Sequence, residues 1–80
     1  MSIEARVQGV FRKVFRKPEL VLEKTMNSNN IEGWNSLANI NLIIGLEKEF
    51  AVKMKAGEVI RLKNVGELFQ LVELKLSQKT

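Results

Sequence analysis

The sequence predicts an all-α fold, a four-helix bundle with a long first loop and a short third helix, from three observations. Apolar residues recur at helical spacing near both ends of the chain. The stretch 36–50 is apolar on almost every side, as expected of a helix wrapped by others. The only proline, Pro18, and the polar run Met26-Asn27-Ser28-Asn29-Asn30 fall together between the first two periodic stretches. Eighty residues, 45% hydrophobic, make one domain over residues 1–80. That is near the size at which a single core stabilises the chain only modestly.

The first helix begins at Ser2, a residue type whose hydroxyl caps a helix start. Ile3, Val7, Val10, Phe11, Val14 and Phe15 form its apolar stripe. Glu4 near the start and Arg12, Lys13, Arg16 and Lys17 near the end complement the helix dipole. Pro18 ends the helix at about Arg16 or Lys17. The four basic residues have a second reading as a nucleic-acid patch, although solvated charges at a helix C-terminus are ordinary. Residues 18–35 form a long connection, of a length that is uncommon in small domains unless functional. Leu20, Leu22 and Ile31 are expected to pin it to the core, with Val21 and Glu32 pointing elsewhere.

The second helix is the centre of the chain. Asn35 is its expected cap, and Ser36 is then the first helical residue, at the positive end of the dipole where a phosphate is favoured. At about 100° per residue, Leu42, Ile43, Leu46 and Phe50 form one stripe and Leu37, Ile40 and Ile44 a second. Both stripes are expected to be buried. Ala38, Asn41, Gly45 and Lys48 are left as the exposed line leading away from Ser36. Trp34 is expected to be a packing anchor beside the helix start.

Residues 51–55 alternate and read as an extended connector. Ala56 to Arg61 is expected to be a short third helix, the loosest element, with Val59, Ile60 and Leu62 inward. Asn64 with Glu67 suggests a variant capping box that opens a last helix reaching about Leu76. Val65, Leu68, Phe69, Val72 and Leu76 form its stripe, Leu71 widens it and Leu74 lies on the far side. Residues 77–80 are expected to fray.

Composition excludes much chemistry. There is no cysteine, histidine or aspartate, so no disulfide, no thiolate metal site and no Ser-His-Asp arrangement. Nothing places a lysine base beside Ser36. The expectation is a non-enzyme with no catalytic residues and no metal. No apolar run is long enough to cross a membrane and no signal-peptide core begins the chain, so a cytoplasmic location is expected. The net charge is +4 but unevenly divided: +3 over residues 1–24, −2 over 25–50 and +3 over 51–80.

Trp34-Asn35-Ser36-Leu37, with Ile40, Leu42-Ile43-Ile44, Leu46-Glu47 and Glu49-Phe50, resembles the acyl carrier protein motif. In that family an Asp-Ser-Leu triplet opens the second helix and the serine carries 4′-phosphopantetheine. The resemblance covers nearly the whole chain and implies an acyl carrier with a four-helix acyl-carrier-like bundle. It further implies a covalent 4′-phosphopantetheine arm on Ser36, donated by coenzyme A through a phosphopantetheinyl transferase, with Asn35 and Leu37 beside it. Acyl-transferring or acyl-elongating enzymes are the other implied partners, and the carrier is expected to be a monomer. Ile40, Ile44, Met54, Val59 and Leu62 are the implied acyl pocket, and Ala38, Asn41, Glu47 and Lys48 the implied partner surface. Three features depart from the family pattern: Asn35 stands in place of aspartate, the line Ala38, Asn41, Lys48 lacks acids, and the overall charge is basic. Together they suggest a specialised lipid or secondary-metabolite pathway. Two other readings stay open: a small basic helical module binding nucleic acid, and an unmodified carrier-like scaffold that binds proteins.

Overall fold

A computed structural model of the chain describes residues 2–78. Four helices follow one another: α1 (Ile3–Val14), α2 (Ser36–Phe50), α3 (Ala56–Ile60) and α4 (Val65–Gln78). No strand occurs among the described residues. Helix α1 packs against both α2 and α4, and α3 packs against α2. One core joins them, centred on the fully buried Val7, Phe11, Leu42, Leu46, Val65, Leu68 and Val72.

Helices α1, α2 and α4 start where the sequence offers a capping acceptor. The Ser2 hydroxyl accepts the Ala5 N–H at 3.1 Å. Asn64 Oδ1 accepts the Glu67 N–H at 2.9 Å, and Glu67 Oε1 accepts the Lys63 N–H at 3.2 Å. The reciprocal bond thus falls one residue before the cap. Helix α1 ends at Val14, two or three residues before the expected stop at Arg16 or Lys17. Arg16 adopts a left-handed conformation (φ 54°), and the Lys17 N–H closes a 3.0 Å bond to the Arg12 carbonyl. This terminating turn, rather than the restriction imposed by Pro18, ends the helix. Helix α4 continues two residues past Leu76, so Ser77 and Gln78 are helical rather than frayed; residues 79 and 80 lie outside the described residues.

The long first loop is tied down mainly through its backbone. Leu22 N–H donates to Gln8 Oε1 at 2.9 Å, and Arg12 Nε donates to the Leu20 carbonyl at 2.7 Å. The first turn of α4 uses the same loop: Val65 N–H donates to the Met26 carbonyl and Gly66 N–H to the Lys24 carbonyl, at 2.8 and 2.9 Å. Ile31 is buried, Leu20 and Leu22 are half-buried, and Val21 and Glu32 are exposed, as expected. Leu74 likewise lies outside the core, whereas Ile60, expected inward, is exposed. A five-residue α3 turns only one apolar side chain, Val59, fully into the core.

Candidate functional site

The start of α2 is assembled from the loop that precedes it. Gly33 sits at φ 87°, a conformation that side chains disfavour, and turns the chain into the helix. Trp34 N–H donates to the Ile31 carbonyl at 3.2 Å. The indole meets Phe11 edge-on with ring centroids 5.3 Å apart and lies 6.2 Å from Phe15. Its Nε1–H donates to Asn39 Oδ1 at 2.6 Å, one turn into α2. Trp34 therefore anchors the helix start, as expected, to α1 on one side and to α2 itself on the other. Asn35 Oδ1 accepts the Ala38 N–H at 3.0 Å, and the Asn35 carbonyl accepts the Asn39 N–H at 3.0 Å. Ser36 is exposed at the first helical position, and the first turn of α2 contains no acid. The site is a solvent-facing hydroxyl at the positive end of a fifteen-residue helix.

The faces of α2 differ from those expected. Leu42, Ile43, Leu46 and Phe50 are buried, but the second stripe faces solvent: Leu37 is 68% exposed, Ile40 51% and Ile44 46%. The expected exposed line is partly inside. Ala38 is buried, and a Cβ on Gly45 would come within 2.8 Å of Val10 Cγ1. Gly45 marks the side where α1 comes close, and the larger apolar residues Leu37, Ile40 and Ile44 remain outside. Asn41 and Lys48 are exposed as expected.

This rearranges the remaining site residues. Met54 and Val59 are buried in the core and Leu62 is half-buried against it. Ile40 and Ile44 are not core residues. Val59 and Leu62 line a cavity of about 90 Å³ with Trp34 and Asn39, close to the start of α2. A wider, open depression of about 750 Å³ lies elsewhere, between α1 and α4. Of the partner-surface residues, Ala38 is withdrawn, and a glutamate there would start from a buried position. Glu47 Oε2 accepts the Met54 N–H at 3.0 Å and so fixes the connector. The neighbouring Glu49 is held by Arg6, with Nε 2.8 Å from Oε2 and Nη2 donating to the Glu49 carbonyl at 2.6 Å. The same guanidinium lies 4.4 Å from the centre of the Phe50 ring. Sequence reasoning did not find the roles of Asn39 or Arg6. Gly33, next to the Trp-Asn-Ser run, was a readable sign of a positive-φ turn.

No protein-family model matches the chain, and neither does any curated protein. Among solved structures, the chain is similar to a holo acyl carrier protein from Geobacter metallireducens, determined in solution by NMR. The two are 39% identical, superpose with a TM-score of 0.87, and the match covers 99% of this chain and 91% of that one. The fold, the capped start of α2 and this similarity define the class. The chain belongs to the acyl carrier protein family, whose members are carriers rather than enzymes.

Proposed function

We propose that Ser36 carries a covalent 4′-phosphopantetheine arm and that the chain presents acyl groups to other enzymes. The observation that carries this reading is the exposed Ser36 hydroxyl at the first position of α2, immediately after a working Asn35 cap. The residues present fit the group. A phosphodiester on Ser36 would lie at the helix N-terminus, with no carboxylate in the first turn to repel it. The arm supplies a terminal thiol, on which an acyl group is held as a thioester. Asn35 keeps the first turn formed, and Trp34, through Asn39, fixes the direction from which the hydroxyl leaves the fold. Leu37, next along the exposed face, is available to whatever enzyme approaches Ser36.

The acyl shelter belongs to the same proposal. Met54, Val59 and Leu62 are on the α3 side of the core, and the cavity beside Val59 and Leu62 is too small for a long chain without movement of α3. Ile40 and Ile44 contribute to an outer docking face instead. The absence of acids from the exposed stripe supports a specialised lipid or secondary-metabolite pathway, with a phosphopantetheinyl transferase and acyl-handling enzymes as cytoplasmic partners. The test is to incubate the chain with coenzyme A and a broad-specificity transferase and weigh the product. One phosphopantetheine is expected on the wild type and none on Ser36→Ala. Equal labelling of that variant refutes the site, and no labelling by any transferase leaves an unmodified scaffold.

A further inference from the structure

We propose that the enzymes receiving this carrier bind it through an apolar groove rimmed by carboxylates; the proposal rests on the carrier reading above. The exposed stripe Leu37, Ile40 and Ile44 starts next to Ser36 and is continued four residues later by Lys48. One flank of the stripe is closed by the approach of Gly45 to Val10 of α1. The other leads to the connector, where Glu47 binds the Met54 N–H, and to α3, which ends in Ile60, 64% exposed. An apolar face of this kind, beginning at the delivery point, is suited to a protein groove.

The charge of the face decides the groove's rim. Residues 36–63 contain three carboxylates and five cations. All three carboxylates are engaged within the fold. Glu47 binds a backbone N–H, Glu49 pairs with Arg6, and Glu58 pairs with Lys75 at 2.9 Å while accepting the Lys55 N–H at 3.0 Å. The five cations, Lys48, Lys53, Lys55, Arg61 and Lys63, are all exposed; none forms a close ion pair among the described residues, and only Lys55 acts electrostatically on one of these carboxylates, Glu58. These bonds hold the carboxylates in place without cancelling their charge, and five cations against three carboxylates leave residues 36–63 with a net charge of +2, carried by exposed side chains at the end of α2, in the connector and just after α3. A carboxylate rim would steer association to this face, and a cationic rim would oppose it.

The probe is a phosphopantetheinyl transferase with lysines and arginines around its carrier groove, compared with the same enzyme after those residues are changed to glutamate. Binding of the full-length, unmodified chain is read by fluorescence anisotropy at low and high salt. The wild type is expected to bind the glutamate-rimmed enzyme about tenfold more tightly at low salt, with the preference shrinking as salt rises. Lys48→Glu, Lys55→Glu, Arg61→Glu and Lys63→Glu combined should reverse it. Ile40→Ser with Ile44→Ser should weaken binding at both salt concentrations while leaving the helical circular dichroism intact. Equal binding, preference for the cationic rim, or binding only to anionic phospholipid vesicles overturns the proposal. Failure of the carrier reading appears separately, as no mass gain at Ser36, because the binding measurement needs no modification.

Discussion

Replacing Gly45 by alanine tests the α1–α2 contact that sets the exposed face. The added Cβ would lie 2.8 Å from Val10 Cγ1, closer than such atoms normally approach, with Val14 Cγ2 at 3.9 Å. Val10 is buried and β-branched, so its methyl has little rotational freedom with which to yield. Overpacking of this kind costs about 1–3 kcal/mol. The higher helix propensity of alanine returns about 1 kcal/mol. The net expectation for Gly45→Ala is a loss of about 1 kcal/mol, or roughly 4–8 °C in Tm for a domain of this size. Val10→Ala alone should also destabilise, because it removes buried methyl groups. In that background, however, Gly45→Ala should stabilise by about 1 kcal/mol, since the clashing methyl is gone and propensity remains. Urea melts of the four proteins in the cycle provide the coupling, expected near 2 kcal/mol and inverted in sign between backgrounds. A Gly45→Ala that raises stability in the wild type, or acts equally in both backgrounds, refutes the close contact.

Asn35→Ala should lower stability by about 0.5–2 kcal/mol through loss of the cap, read from thermal melts. Asn35→Asp should keep the cap and add about 0.3–1 kcal/mol from the dipole; a faster labelling rate at Ser36 would show that the transferase reads the charge. Ala51 ends α2 at φ 53°, so Ala51→Gly should stabilise by about 0.5–1 kcal/mol, after allowing for the greater freedom of glycine in the unfolded chain.

Elements governed by local chemistry were legible in the sequence. Ser2, Asn35 and Asn64 each place an acceptor at a helix start, and each makes the expected bond. The buried stripes of α1 and α4 were readable because each has a polar opposite face. On α2 the polar residues form only a narrow line beside two apolar stripes, so periodicity could not say which apolar residues would be covered. The answer lay in size rather than hydrophobicity: Gly45 admits α1, the small Ala38 is buried, and Leu37, Ile40 and Ile44 are left outside. The acids of the site were legible as charges but not as bonds. Glu49 and Arg6 are 43 positions apart, and Glu47 is occupied by the connector only once the chain has turned at Ala51. Ser36 was identifiable because its neighbourhood is local: cap, helix start and Trp34 fall within three residues.

The same distribution of contacts makes α3 the element that should open first. Five residues are too few to sustain a helix alone. What holds α3 is the buried Val59 and the two bonds of Glu58, to the Lys55 N–H and to Lys75 of α4. Helix α2, by contrast, is clamped at its start by Trp34, along one side by α1, and at its end by Arg6. The Lys75 ammonium, followed by the Lys55 N–H, holds the Glu58 carboxyl below its ordinary value. A lowered carboxylate pKa means stabilisation fully present above the unfolded value, about 4.3, and lost as pH falls through the folded one. Native-state hydrogen exchange should therefore show the α3 amides opening at lower free energy than those of Leu42 and Leu46. Lys75→Met should accelerate exchange in α3 while leaving the start of α2 unchanged, and acid should do the same below the ordinary glutamate range. If α3 exchanges only with the core of α2, the cavity beside Val59 cannot enlarge by local opening, and an acyl chain would have to remain outside the folded carrier.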